Sequence, residues 1–265
     1  MSEKMEVYIR RLVLMERIEY EKIKLQQDVH WWFVAKREIV LALWRYFCQP
    51  DSTARVLDAG CGYGFLMEHL KKTAKNVYGF DISEEAVQWC REHVCPHVAS
   101  GSLPDHFPFD EKFHSIFALD VLEHIADDCS ALGVLYDHLQ PGGYLIATVP
   151  ASMNLWSYND VVCMHKRRYD AKELCEKTKA AGYQILKLSY YNSLLFLPVY
   201  MVRKFKNFFH IQSDDLPAEI HDNWLNRFLY KIFSSEKEHL LHGTYPFGVS
   251  LIMVAQKQSG NMSTP

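Results

Sequence analysis

The sequence predicts an α/β protein built on a mostly parallel sheet with helices on both faces. Two observations predict it. From residue 55 onward, short apolar runs of strand character alternate with stretches of helical period. Directly after the first apolar run comes a turn with glycines on alternate positions, GCGYG, which leads into the first helix of the alternating region. In such a sheet a ligand is expected beyond the carboxyl ends of the strands.

The elements follow in order. The first fifty residues read as helical, and HWWFVAKREIVLALWRYF (30–47) is an amphipathic helix that stops before Pro50. ARVLDA is the first strand and YGFLMEHLKK its helix. NVYGFDI is the second strand, and SEEAVQWCREH a helix with Ser83 as N-cap. FHSIFALDVL opens as a buried strand, and a helix over about 129–139 ends at a PGG turn before the strand GYLIATVP. Helix AKELCEKTKAAG, strand YQILKLSYY and, after a long interruption, strand FGVSLIMVAQK complete the series.

At 265 residues the chain suits one generous domain, or a domain with a cap. A net charge of −3 leaves no electrostatic footprint for nucleic acid. Seven cysteines without a CxxC pair, and a charged N-terminus without an apolar core, point to a reducing, cytoplasmic setting. No run reaches the roughly 18 apolar residues of a membrane span.

The glycine turn narrows the ligand. A dinucleotide fingerprint needs a further glycine three residues after the second, where Phe65 stands, and a phosphate-gripping loop would end in GK[ST]. Asp58, just before the turn, suits a cationic ligand. Asp81, ending the second strand, can accept both hydroxyls of a ribose.

With VLDAGCGYG, VYGFDIS, FALDVLEHI and LQPGGYLIATVP in this order, the chain resembles the class I S-adenosylmethionine-dependent methyltransferases, of small-molecule type. The resemblance implies a Rossmann-like seven-stranded sheet with N-terminal helices and a helical cap inserted between strands six and seven. It implies that Gly60, Cys61 and Gly62 lie against the amino-acid part of the cofactor, near Asp58, and that Asp81 binds the ribose. It further implies that Ile82 flanks the adenine, that Ser102 and Leu103 cover its edge, and that Asp120 and Val121 face the sulfonium end. The chain departs from the family at Ser102, where an aspartate is frequent, and at His114, which follows Phe113 in place of aspartate. HWWFVAKR, LWSYNDVVCMHKRRYD, YYNSLLFLPVYMVRKF and YPFGVSLIMVAQK resemble a bacterial-looking subgroup, so the likeness covers about residues 25–257.

HKRRYD is the candidate catalytic stretch. Asp170 and Glu173 form a D-x-x-E cap, so a helix starts near Ala171 and the residues before it sit in a loop over the strand ends. Methyl transfer is an in-line displacement in which positioning is worth on the order of 7 kcal/mol. A hydroxyl or ammonium acceptor must also lose a proton, which histidine is suited to take near neutral pH. His165 is therefore the base candidate, with Tyr169 or Asp160 as its partner, and Arg168 or Arg167 can hold an anionic group of the substrate. The competing reading is a loop merely salt-bridged to the body. Trp32 is the substrate-side candidate in the WWF run, against a packing role for all three aromatics; Arg37 can meet the cofactor carboxylate or face solvent. Asp120, Glu123 and His124 suggest a metal, but the adjacent pair should point apart, so no metal is expected.

The expected organisation is an N-terminal helical segment over the cofactor site (1–50), a core (51–191 and 247–258) and a cap (192–246). The stretch 194–209 is apolar, then basic and aromatic, and reads as a substrate cover, a homodimer surface or an interfacial patch for a lipid-linked acceptor. The expected activity is methyl transfer to oxygen or nitrogen of a small acceptor. A non-methylating reaction on the same cofactor, or a silent partner subunit, is the alternative.

Overall fold

A computed structural model describes residues 24–211 and 223–259. The predicted helix is α1 (Trp31–Cys48), with His30 as N-cap accepting from the Trp32 amide. The alternating region then runs β1 (Arg55–Ala59), α2 (Phe65–Leu70), β2 (Asn76–Asp81), α3 (Glu84–His93) and β3 (Val98–Ser100). It continues with β4 (Phe113–Leu119), a 3-10 turn (Leu122–His124), α4 (Asp128–Asp137) and β5 (Leu139–Pro150). Next come α5 (Tyr158–Val162), α6 (Ala171–Ala180), β6 (Tyr183–Tyr191), α7 (Phe196–Phe208), α8 (Trp224–Ser234), α9 (Glu236–His242) and β7 (Ser250–Lys257).

The strands form one seven-stranded sheet in the order β3-β2-β1-β4-β5-β7-β6, parallel except for β7, which runs antiparallel to both neighbours. Strand side chains alternate between faces. Val56 packs with Ile39, Leu43 and Trp44 of α1, while Leu57 packs with Leu132 and Leu135 of α4. That alternation puts one hydrophobic cluster on each side of the sheet. The strand order reverses between β1 and β4, and in an open α/β sheet the ligand crevice lies at the carboxyl ends of the strands at that point.

Three local features differ from the sequence reading. The PGG at 141–143 lies within β5, where Gly142 has φ +78 and the β4–β5 register shifts between Phe113 and Ser115. LWSYNDVVCMHKRRYD contains the short helix α5. The cap expected over 192–246 is divided among α7, α8 and α9, and residues 212–222 lie outside the described ones, as does everything before residue 24. α7 to α9 stand between β6 and β7, and α8 packs on α1: Asn226 accepts from the Trp31 amide and donates to the Val29 carbonyl, and Tyr230 donates to Glu38.

Candidate active site

The crevice is built first by the turn after β1. Gly60, Gly62 and Gly64 all have positive φ, which favours glycine. A Cβ on Gly60 would stand 2.6 Å from Val121 Cγ2, so the turn and the end of β4 meet in direct contact. A Cβ on Gly62 would meet nothing within 4 Å, so the backbone there faces open space that a ligand can enter. The Gly60 and Cys61 amides both donate to the Phe80 carbonyl, which ties the turn to β2. Cys61 contributes backbone alone: its side chain is buried beside Met67 and Gly79.

Asp81 is buried at the end of β2 and accepts from the Gly62 amide (2.7 Å) and the Ser83 amide (2.9 Å). These bonds hold one carboxylate at the mouth of the turn. Ile82 beside it is 70% exposed, an apolar surface without protein cover. Ser102 pairs with His106 through their backbones, and Leu103 packs on the β1–β4 cluster. Asp58 is buried; burial and then the Asp81 charge push its carboxyl up to about 7, against the opposing pull of Lys36.

Past β4 the chain turns through Asp120 at φ +55. Asp120 Oδ1 accepts from Thr148, and Oδ2 accepts from the Lys36 ammonium. Burial alone would raise the Asp120 pKa, but Lys36 and Thr148 outweigh it and hold it below the usual carboxylate value. Lys36, not Arg37, is thus the α1 cation that reaches the crevice. Arg37 donates instead to the Gln27 carbonyl and Asp28. One turn before Lys36, Trp32 stacks against both Tyr191 (6.2 Å between centroids) and Phe233 (5.3 Å), which also stack on each other at 5.7 Å. Its ring belongs to the packing between α1, β6 and α8.

The loop before α6 is stapled to the turn after β4. The Lys166 amide donates to the Glu123 carbonyl, and Arg167 donates to the Ala126 carbonyl and pairs with Asp128 at 2.7 Å. This brings His165 over Glu123. Asp160 orients it: it occupies the third position of α5 in a capping box with Ser157, and its Oδ1 lies 2.8 Å from His165 Nδ1. Against burial, which raises it, the bonds from His165 and Arg168 hold the Asp160 pKa at about 2. A carboxylate only accepts, so Nδ1 carries the hydrogen and Nε2 is left to face the site. His165 Nε2 stands 3.9 Å from Glu123 Oε1.

Two candidates fall elsewhere. Tyr169 is buried with its hydroxyl donating to Asp128 (2.6 Å) and 3.2 Å from the Leu122 carbonyl, so it does not partner His165. Arg168 is buried, donating to Asp160 and the Ala151 carbonyl, and so fixes the loop rather than holding a substrate anion. Both were misplaced because chain proximity to His165 does not reveal which way a side chain turns at the Ala151–Tyr169 bridge.

Glu123 is the residue the sequence undervalued. It is fully buried, and among the described residues neither carboxylate oxygen has a hydrogen-bond partner. Burial, then the charge of Asp120, pushes its pKa well up. The expectation that Glu123 and His124 point apart fails in the tight 3-10 turn: polar atoms of Glu123, His124 and His165 all lie within 4.8 Å of one another. Burial, reinforced by His165, lowers the His124 pKa to about 4.

Residues 30–188 match the family described as "Methyltransferase domain". A "probable S-adenosylmethionine-dependent methyltransferase" of Mycolicibacterium smegmatis is 25% identical over 161 residues, 60% of this chain and 61% of that protein. A ubiquinone biosynthesis O-methyltransferase of Hydrogenovibrio crunogenus is 32% identical over 105 residues, 37% of this chain and 43% of that one. The chain thus spans less than two thirds of the length of these relatives. Among solved structures, the [4+2]-cyclase SpnF superposes with a TM-score of 0.56 at 20% identity, covering 86% of this chain and 83% of its own. That likeness concerns the fold alone.

Proposed function

Because the chain belongs to the methyltransferase domain family, we propose that it transfers the methyl group of S-adenosylmethionine to an oxygen or nitrogen of a small acceptor. The cofactor class is that of the family, S-adenosylmethionine, and the crevice fits it. Gly62 leaves open backbone, Asp81 offers a fixed carboxylate for the ribose, and Ile82 offers an apolar surface for the adenine. Asp58 supplies negative charge toward a cationic ligand when ionised, Asp120 stands at the sulfonium end paired with Lys36, Gly60, Cys61 and Val121 shape the walls, and Ser102 and Leu103 lie at the adenine edge. When bound, the cofactor presents an activated methyl on a sulfonium that leaves as a neutral thioether.

The single observation that carries the acceptor side is the Asp160–His165 pair, whose bond at 2.8 Å engages Nδ1 and leaves Nε2, 3.9 Å from Glu123 Oε1, as the ring nitrogen able to accept a proton. In the metal-free protein that nitrogen takes the acceptor's proton as the new bond to carbon forms. α1 and the α7–α9 insertion form the cover over the site, joined to each other at Asn226 and Tyr230. Exposed Leu197, Met201, Phe205 and Phe208 on α7 support an apolar or lipid-linked acceptor. A homodimer contact through the same helix is the competing use of that face. The seven cysteines, all among the described residues, form no disulfide, which supports a reducing, cytoplasmic setting.

The test is calorimetric titration with S-adenosylhomocysteine and NAD, followed by methyl-labelled cofactor offered with polar and lipid extracts. The reading expects S-adenosylhomocysteine to bind, NAD not to bind, and labelled product to appear. Binding unchanged in Asp81→Ala would overturn the ribose assignment. Cofactor bound without product from any fraction would favour the silent-subunit alternative.

A further inference from the structure

Glu123 presents a physical problem that the mechanism above leaves unsolved. A buried carboxylate is normally paired or hydrogen-bonded, because removing an unpartnered polar group from water is costly. Here the two nearby cations are already matched: Lys36 by Asp120, and Arg168 by Asp160. Glu123 is the carboxylate left over, with both oxygens unpartnered among the described residues. Facing Oε1 at 3.9 Å is His165 Nε2, an acceptor once Nδ1–H is committed to Asp160. Two electron-pair donors therefore face each other across a gap too long for a hydrogen bond. Something positive belongs between them.

We propose that Glu123, His124 and His165 hold one divalent transition-metal ion at the acceptor end of the crevice. Ligands at about 2.1 Å on opposite sides of one ion stand about 4.2 Å apart, and closer when adjacent. The Glu123–His165 gap of 3.9 Å already fits, and His124, within 4.8 Å, needs only a side-chain adjustment. The surroundings match a metal centre. A ligating histidine usually gives its other N–H to a carboxylate that fixes the ring, and Asp160 does this, itself held by Ser157 and Arg168. One carboxylate with two imidazoles suits zinc, iron or cobalt over magnesium, which prefers an all-oxygen shell. Three protein ligands leave positions for an acceptor oxygen.

The proposal rests on the methyl-transfer reading and deepens it by naming the acceptor class, a hydroxyl able to bind the ion. In the loaded protein the Nε2 lone pair goes to the metal, and coordination makes the hydroxyl acidic near neutral pH. The O–H proton leaves to water, the oxygen–methyl bond forms, and the sulfur–methyl bond breaks with its electron pair kept by sulfur.

The experiment is titration of chelator-treated protein with Co²⁺, followed by visible absorption and calorimetry, with Mg²⁺ as a comparison and S-adenosylhomocysteine binding measured in parallel. One cobalt per chain with new visible bands, weakened roughly 100-fold in Glu123→Gln and about 10–100-fold in Asp160→Asn, is the expected result. Thermal melting checks that both variants fold. Cobalt binding that is absent, or unchanged in Glu123→Gln, overturns the site. If S-adenosylhomocysteine binds while cobalt does not, the metal fails and the methyltransferase reading stands. If cobalt binds as expected but S-adenosylhomocysteine does not, the site stands and that reading fails.

Discussion

Lys36 and Asp120, 84 positions apart in the chain, meet where α1 crosses the end of β4, the lysine ammonium donating to Asp120 Oδ2. The contact ties the N-terminal helix to a left-handed residue on the floor of the crevice. Lys36→Met keeps the apolar stem but removes the donor. Denaturant unfolding is expected to give a loss of about 1.5–3 kcal/mol, the usual worth of a hydrogen bond to a charged group. Titration should also show weaker S-adenosylhomocysteine binding, since Asp120 loses the partner that holds it. Unchanged stability would mean that the pair is not formed in solution.

Asp58 makes cofactor binding pH-dependent. Its carboxyl titrates at about 7 in the ligand-free protein, and a cationic ligand favours the ionised form. Affinity should fall as pH drops through 7, approaching about tenfold per pH unit below it, and binding near pH 7 should release protons. Calorimetry in buffers of different ionisation enthalpy measures that release. The stability sign is opposite. Because the folded pKa lies above the unfolded value, the folded state holds more protons, and stability falls as pH rises from about 4 to 7. Asp58→Asn should flatten both slopes.

Asp160→Asn is predicted to disturb fold and site together. It leaves the Arg168 guanidinium, only 3% exposed, without its carboxylate. Breaking such a buried pair costs on the order of 3–5 kcal/mol, visible in a thermal melt. The amide also no longer selects Nδ1–H on His165, so turnover should fall further than the loss of folded protein explains.

Tyr169→Phe separates packing from catalysis. The hydroxyl donates to Asp128, which keeps Arg167 and Lys177 when it is removed. The expected outcome is a stability loss of about 1–3 kcal/mol with turnover unchanged at a temperature where the variant is folded. A large drop in kcat would return Tyr169 to the reaction.

Gly60→Ala tests the contact between turn and strand end. The left-handed backbone costs about 1–2 kcal/mol for a residue with a side chain. A further cost comes from the 2.6 Å approach to Val121 Cγ2. Adding Val121→Ala should recover only that second share. Full recovery would mean that the backbone conformation relaxes.

Much of the architecture was readable because its signals are local. A strand, a glycine turn and a capped helix are contiguous, so VLDAGCGYGF located the crevice and Ser83 the start of α3. Asp81 stood out for the same reason, as the end of the strand that the turn leans on. The insertion was readable as a long gap before the last strand, although its division into α7, α8 and α9 was not.

The site residues that depend on distant partners were not readable. HKRRYD placed His165 in a loop over the strands, and of its two suggested partners the fold selected Asp160, because α5 aims that carboxylate inward while Tyr169 turns to Asp128. Lys36 and Arg37 are neighbours of equal charge, and helical phase alone decides that one reaches Asp120 and the other Asp28. Glu123 looked like an ordinary acid at a turn until the loop settled over it. The sequence by itself determined the sheet and the turn, since those follow from spacing along the chain, while the kind of ligand came from its motifs' resemblance to a known family. Only the tertiary structure decided which charges are matched and which one is left over, because matching is a property of packing between segments far apart in sequence.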